Sequence, residues 1–329
     1  MENEPEVNML LAGDIGGTQT LLGLYERAAR PRQLAQREFA TLDHPDLGSI
    51  VGQFLDASGG GARVEAASFG VAGPVLGRSA SLTNVPWRVD ADAIGRAFGI
   101  ARVGLINDLE AMAYGVSVLE AGEVAVLQEG QPHPTGNIGV IAAGTGLGEA
   151  FLHRVGDRFI PAASEGGHAD YAARNEREIA LTRALIARFG RAEVEHVVSG
   201  MGLVNIYRVT HTAPCAAGVN PADPGAAAAV SRAALAGTCA QCAEALQIFV
   251  DGYGAEAGNL ALRTVATSGV FVGGGIAPKI LPALTDGRFM RAFVDKAPFS
   301  AMLRRIPVKV VLNQEVGLLG AALHASLTA

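Results

Sequence analysis

Short apolar runs, each closed by glycine or a polar turn, recur along this chain and read as strands. Asn8–Ala12 leads into Gly13-Asp14-Ile15-Gly16-Gly17-Thr18, and Leu21–Tyr25 follows; two apolar runs around a glycine pair predict a β-hairpin. Ala67–Ala72 ends in Gly73-Pro74, and Val103–Ile106 ends in Asn107-Asp108 before a helical stretch, Leu109–Leu119. The order then restarts. Ile138–Ala143 is apolar, Gly144-Thr145-Gly146-Leu147-Gly148 turns the chain, and Glu149–Arg154 leads away. A third such segment, Val270–Val272, runs into Gly273-Gly274-Gly275 and Ile276. Val308–Leu312 reads as a last strand and Gly317–Leu327 as an apolar helix. Strands alternating with helices mean α/β layers, and the repeated strand–turn–strand unit predicts two domains on one plan. The expected division is 1–118 with 310–329 in a small α/β domain, the last twenty residues folding back, and 119–309 in a large one.

Composition agrees with two domains, since 329 residues exceed the usual size of one. With 49% hydrophobic and 18% charged residues the chain is globular, and its net charge of -6 with no basic block predicts no nucleic acid and no membrane as partner. The acidic start, Met1 to Glu6, lacks the order of a secretory signal. Three cysteines, Cys215, Cys239 and Cys242, are too few for a disulfide framework, so a cytoplasmic location is expected. Cys239-Ala-Gln-Cys242 has C-x-x-C spacing, and His211 and Cys215 could add metal ligands. The paired C-x-x-C of common zinc modules is missing, however, so both cysteines read as small apolar residues one turn apart on a helix over Ala226–Val250.

Glycine is the compositional outlier, at 42 residues. Gly16-Gly17-Thr18 and Gly144-Thr145-Gly146 combine backbone that a ligand can approach closely with a threonine hydroxyl, the requirements of a phosphate-binding turn. Neither the P-loop pattern nor G-x-G-x-x-G is present. Two turns could grip a polyphosphate, and Gly273-Gly274-Gly275 could let an adenine lie against main chain. Asp14 beside the first turn would repel phosphate unless a cation lies between, so it reads as a Mg²⁺ residue acting through water, or alternatively as a turn-initiating Asp.

Taken together, these segments resemble the bacterial ATP-dependent glucokinases. The resemblance covers nearly the whole chain. It rests on Gly13 to Thr18, Leu82-Thr83-Asn84 with Trp87, Ile106-Asn107-Asp108, Gly144 to Gly148, and Ser164-Glu165-Gly166-Gly167-His168. Glu195 before Val198-Ser199-Gly200, Gly258 to Leu262, Gly273 to Ile276, and Pro307 to Gly320 complete it. It implies a two-domain actin/hexokinase-like (ribonuclease H-like) fold with a cleft between domains, and a homodimer. It also implies a nucleotide site built from Gly13, Asp14, Ile15, Gly16, Gly17, Thr18, Gly144, Thr145, Gly146, Gly273, Gly274 and Gly275. Asp108 is implied as catalytic base, with Asn84, Asn107, Asp108, Glu165, His168 and Glu195 binding sugar. A hexose suits such a set, because one carboxylate can accept from two vicinal hydroxyls while Asn and His add donors or acceptors. From local sequence alone Asp108 reads as a helix cap and Glu195 as a solvated helix residue, so both assignments rest on the resemblance. Gln19 departs from the Asn common in the family at that position. Glu149, next to the second turn, is expected to point away from the phosphates, as alternate strand residues do.

The expected reaction is transfer of the γ-phosphoryl of Mg-ATP to the 6-hydroxyl of glucose. Positioning and electrostatics suffice for it, so no nucleophilic Cys or Ser is needed. The competing readings are a kinase for another hexose or an N-acetyl amino sugar, and an actin-like ATPase without a sugar substrate. The latter leaves Asn107, Glu165, His168 and Glu195 without a shared task.

Overall fold

A computed structural model describes residues 9–58, 63–82, 85–156 and 158–329. The chain forms two compact units, the first running to Glu120 and taking back Glu315–Ala329, the second comprising Ala121–Gln314.

In the first unit, alternating and fully apolar runs give strands β1 (Met9–Ile15), β2 (Gln19–Glu26), β3 (Arg32–Ala40) and β4 (Val64–Val71). A small antiparallel sheet follows, of β5 (Val75–Leu76), β6 (Ser79–Ser81) and β7 (Arg88–Asp90), and then β8 (Arg102–Asn107). Helices α1 (Leu47–Ala57), α2 (Ala91–Phe98) and α3 (Asp108–Val116) connect them. The main sheet has the order β3-β2-β1-β4-β8, antiparallel across β3, β2 and β1 and parallel across β1, β4 and β8.

The second unit repeats that plan. Its strands are β9 (Val124–Gln128), β10 (Ile138–Ala143), β11 (Leu147–Val155), β12 (Arg158–Ser164), β13 (Gly269–Gly273) and β14 (Val308–Val311), in the order β12-β11-β10-β13-β14-β9. Antiparallel β12, β11 and β10 are followed by parallel β13 and β14, the counterparts of β4 and β8. This duplicated topology is the two-domain actin/hexokinase-like architecture. Because β14 pairs with β13 and β9, residues through Gln314 belong to the second unit, and the return to the first starts at Glu315 rather than at 310.

Helices α4 (Glu176–Phe189), α5 (Gly200–Thr210), α6 (Ala226–Leu235) and α7 (Ala240–Thr264) cover the second sheet with three short helices, Leu281–Leu284, Arg288–Val294 and Ser300–Leu303. The single helix expected over Ala226–Val250 does not form. Gly237, at φ +68°, takes the left-handed conformation, and the amides of Gly237 and Thr238 bond back to Ala234 and Ala233 (3.1 and 3.0 Å), which terminates α6. The chain bends by 104° between α6 and α7. Cys239 is therefore the N-cap of α7 rather than a mid-helix residue. Among the described residues no single helix is long and apolar enough to cross a membrane.

Each unit has its own core. Leu11, Ile15, Phe54 and Phe69 centre the first, while Phe249, Tyr253, Phe289 and Phe293 centre the second. A further cluster in the first unit packs Leu318, Ala321, Ala322 and Ala325 of the C-terminal helix (Val316–Thr328) on Leu10, Ala12, Tyr25 and Ala66. That helix also crosses α3 at backbone distance. A Cβ on Gly320 would lie 1.7 Å from the Ala111 carbonyl oxygen, and one on Gly115 would lie 2.1 Å from that of Val316. Only glycine at both positions permits this crossing.

Candidate active site

In the first unit the chemistry gathers where parallel strands end, the usual place for ligands in open α/β sheets. The β1–β2 hairpin is closed by a bond from the Gly16 amide to the Gln19 carbonyl (2.9 Å). Thr41 fixes it from the side: its amide donates to the Thr18 carbonyl and its hydroxyl to the Gly16 carbonyl, both at 2.9 Å. With these carbonyls tied inward, Thr18 sits exposed at the tip. Gln19, at the start of β2, donates from Nε2 to Glu38 Oε1 (2.6 Å).

Two strands away, β8 delivers Asn107 and Asp108. Asn107, rather than Asp108, is the N-cap of α3. Its Oδ1 accepts from the Leu109 amide (2.9 Å), and its own amide donates to Glu110 Oε2 (3.0 Å), a complete capping box. Asn107 Nδ2 donates to the Gly73 carbonyl at 3.4 Å. Asp108 is thus the first helical residue, half-buried, with Oδ1 accepting from Leu109 N at 2.9 Å. Across the intervening β4, Asp14 near the end of β1 feels it. Burial first, and then the charge of Asp108, push the Asp14 carboxyl up to about 6. Two neighbouring carboxylates at the mouth of a glycine turn form a donor set that a hard divalent cation would neutralise.

The second unit places the equivalent hairpin turn, Gly144-Thr145-Gly146, at the end of β10. The Gly144 amide donates to the Gly146 carbonyl, the Gly144 carbonyl accepts from Gly200 N at the start of α5, and Thr145 is exposed; both bonds are 2.8 Å. Beside it, on parallel β13, Gly273-Gly274-Gly275 turns with Gly274 at φ +81° and only 2.3 Å between a would-be Cβ and the Ala143 oxygen. Tyr253 of α7 locks both strand ends together. Its hydroxyl donates to the Gly273 carbonyl (3.0 Å) and accepts from the Ala143 amide (3.2 Å).

Three of the expected sugar-binding residues lie in this unit, their segments joined through main chain. Glu195 Oε2 accepts from the Leu147 amide at 2.8 Å, against the second turn, and the Glu195 amide donates to the Gly167 carbonyl at 2.8 Å. Gly146 admits that carboxylate, since a Cβ there would stand 2.5 Å from Glu195 Oε2. Glu165 and His168 are exposed on the short 3₁₀ turn Gly166–His168, closed by the His168 amide to the Glu165 carbonyl (3.0 Å). His168 Nδ1 pairs with Glu193 Oε2 at 2.9 Å, so the carboxylate orients the ring and leaves Nε2 outward. Burial tends to raise the Glu193 carboxyl, but hydrogen bonds from His168 and Arg191 win and hold it below its usual range.

Asn84 lies outside the described residues. Glu149 is fully buried beneath this loop, facing Glu256 and Arg263 of α7. Burial, then the Glu256 charge, lift its carboxyl to about 8 against the pull of Arg263. Glu193, Tyr253 and Thr41 support the site without any sequence signal of their own; each is identified only by what it touches.

The whole chain matches known proteins along its length. A family profile described as Glucokinase covers residues 11–328. The chain is 41% identical to a glucokinase of Nostoc punctiforme, over 97% of this chain and 99% of that protein. It is 38% identical to one of Mesorhizobium japonicum, over 96% and 91%. Among solved structures, a glucokinase from an Antarctic psychrotroph superposes with a TM-score of 0.86 at 30% identity, covering 97% of this chain and 98% of that one. A ROK-family glucokinase from Streptomyces griseus shares the fold at a TM-score of 0.66 and 23% identity, covering 97% and 100%. Motif order, duplicated topology and full-length similarity point the same way: the chain belongs to the glucokinase family, ATP-dependent kinases that phosphorylate glucose.

Proposed function

We propose that Asp108 is the general base of this kinase and that the turns and polar groups described above are its substrate-binding elements. The observation that carries the reading is the common end of one sheet in the first unit. There Asp108, opening α3 directly after β8, lies near Asp14 on β1, and β1 runs into the Gly16-Gly17-Thr18 turn of the β1–β2 hairpin. Asp108 accepts the proton of the glucose 6-hydroxyl as that oxygen attacks the γ-phosphorus in line; the bond to the β-phosphate oxygen breaks, giving glucose 6-phosphate and ADP. Asn107, whose Oδ1 caps α3, offers its Nδ2 to the same sugar. Glu165, His168 and Glu195 take further hydroxyls, and Asn84 joins them by resemblance. Thr18, Thr145 and the glycine turns donate to phosphate oxygens, while Gly273 to Gly275 give main chain for the adenine to rest on.

Asp14 would hold Mg²⁺ through water, with Asp108 close enough for its charge to be felt. When bound, the ion supplies charge neutralisation at the nucleotide phosphates. The three free thiols suit a reducing cytoplasm, and a homodimer is the expected assembly, to be checked by light scattering on a sizing column.

The test is a coupled ADP-release assay on Asp108→Asn with glucose, mannose, fructose and N-acetylglucosamine, alongside calorimetric glucose binding. Loss of the base lowers kcat by about 10²–10⁴-fold with glucose binding retained. A variant with near-native kcat removes Asp108 from the mechanism, and preference for another sugar redirects the polar set.

A further inference from the structure

Cys239 and Cys242 are buried in the core of the second unit, but each also faces other metal-ligating side chains. The break after α6 brings them to the first turn of α7. The loop after α5 brings His211 and Cys215 to the same point, and all four ligand atoms lie within 4.8 Å of one another. We propose that these four side chains form a structural zinc site, His-Cys₃, in the second unit.

Four of the six ligand-to-ligand distances have the dimensions of the ion, and the other two lie within 4.8 Å. A tetrahedral zinc with Zn–S of about 2.3 Å and Zn–N of about 2.0 Å sets S···S edges of about 3.8 Å and S···N edges of about 3.5 Å. Cys215 Sγ lies 3.6 Å from Cys239 Sγ and 3.7 Å from Cys242 Sγ. His211 Nε2 lies 3.5 Å from Cys239 Sγ and 3.8 Å from Cys242 Sγ.

The surroundings prepare the ligands for a metal. His211 Nδ1 donates to the Tyr207 carbonyl at 3.0 Å, which fixes the tautomer with the Nε2 lone pair aimed at the sulfurs. The ring is held flat on Tyr207, centroids 3.7 Å apart. Main-chain amides of Ala217 and Val219 point at the Cys215 sulfur, and that of Cys242 at the Cys239 sulfur. Cys239 caps α7, where the helix dipole also favours an anion. Cys239 and Cys242 are buried, whereas His211 and Cys215 border an open cavity of about 490 Å³ through which an ion can enter. The cysteines are unpaired, and a disulfide between any two would leave a third sulfur and the imidazole nitrogen with no task.

Four protein ligands leave no open coordination position, so the ion's work is structural. It would clamp the 211–225 connection and the α6–α7 bend onto the start of α7. That is the helix whose Tyr253 ties the Gly144 and Gly274 strand ends.

The full-length protein, made without a metal-chelating tag in zinc-supplemented medium and desalted, is assayed by inductively coupled plasma and native mass spectrometry. One zinc per chain is expected, falling to none in the Cys239→Ser, Cys242→Ser double variant. Wild-type protein stripped by chelator under reducing conditions is then titrated with cobalt(II), so that the outcome does not depend on a variant folding. Visible d–d bands of tetrahedral cobalt with sulfur-to-metal charge transfer in the near ultraviolet, saturating at one equivalent, support the site. Metal-free wild type with no cobalt spectrum, a metal-free mass lighter by two hydrogens, or a double variant that keeps its zinc would overturn it.

Discussion

Replacing Asp14 by Asn separates the stability of the first unit from its chemistry. The Asp14 carboxyl is raised from 3.8 to about 6, by burial and then by the charge of Asp108. The folded state therefore holds this proton more tightly than the unfolded chain does. The resulting stabilisation is complete below pH 3.8 and is lost as pH rises through 6, beyond which the native unit carries a partly buried anion. At about 1.4 kcal/mol per unit, a rise of about two units sets a ceiling of about 3 kcal/mol at pH 8. Asp14 keeps an edge open to solvent, which screens the charge, so a gain of about 1–3 kcal/mol is expected when a neutral amide of the same shape replaces it. Urea unfolding of wild type and Asp14→Asn at pH 4 and pH 8, without magnesium or nucleotide, measures the difference. The variant should be more stable at pH 8, scarcely different at pH 4, and impaired as a kinase. An equal gain at both pH values, or a loss at pH 8, refutes the assignment of a strained carboxylate to this position.

Two further substitutions probe close approaches. Gly146→Ala puts a methyl group 2.5 Å from Glu195 Oε2, at the movable end of a side chain, so Glu195 swings off the Leu147 amide. Losing one well-placed carboxylate raises KM for glucose about tenfold or more, and an unchanged KM takes Glu195 out of sugar binding. Gly320→Ala instead meets backbone, 1.7 Å from the Ala111 oxygen, which cannot rotate away. Strain of about 3 kcal/mol against a helix-propensity gain of about 1 kcal/mol leaves a net loss of about 2 kcal/mol in urea unfolding, and unchanged stability would contradict the crossing geometry.

Strands and glycine turns were legible in the sequence because both depend on local pattern. Ile138–Ala143 is a strand over the span its apolar run defines, and the two hairpins close at their glycines. The α6–α7 break was not legible. A glycine in an alanine-rich stretch is compatible with a continuous helix, and only the bonds back to Ala233 and Ala234 decide that it ends one. The four candidate ligands, His211, Cys215, Cys239 and Cys242, were legible as a set, but the expected continuous helix favoured packing over ligation for the two on α7; the contacts of Cys239 with His211 and Cys215 appear only in the fold. Asn107 and Asp108 could be placed at a strand end from sequence, but which of them caps α3 depends on the Glu110 carboxylate reaching back. Glu193 and Tyr253 carry no pattern at all. Their contributions are contacts across 25 residues to His168 and 110 residues to Ala143, which no local window contains.

The glycine crossing between α3 and the C-terminal helix has a consequence for biosynthesis. Residues 121–314 leave the ribosome as one uninterrupted stretch and can pack their sheet as they emerge, whereas the earlier-made first unit lacks the helix that seals Leu10, Ala12 and Ala66. The unit that is begun first can therefore be completed only after the second has been made, and the apolar surface of Leu10, Ala12 and Ala66 waits for the C-terminal helix.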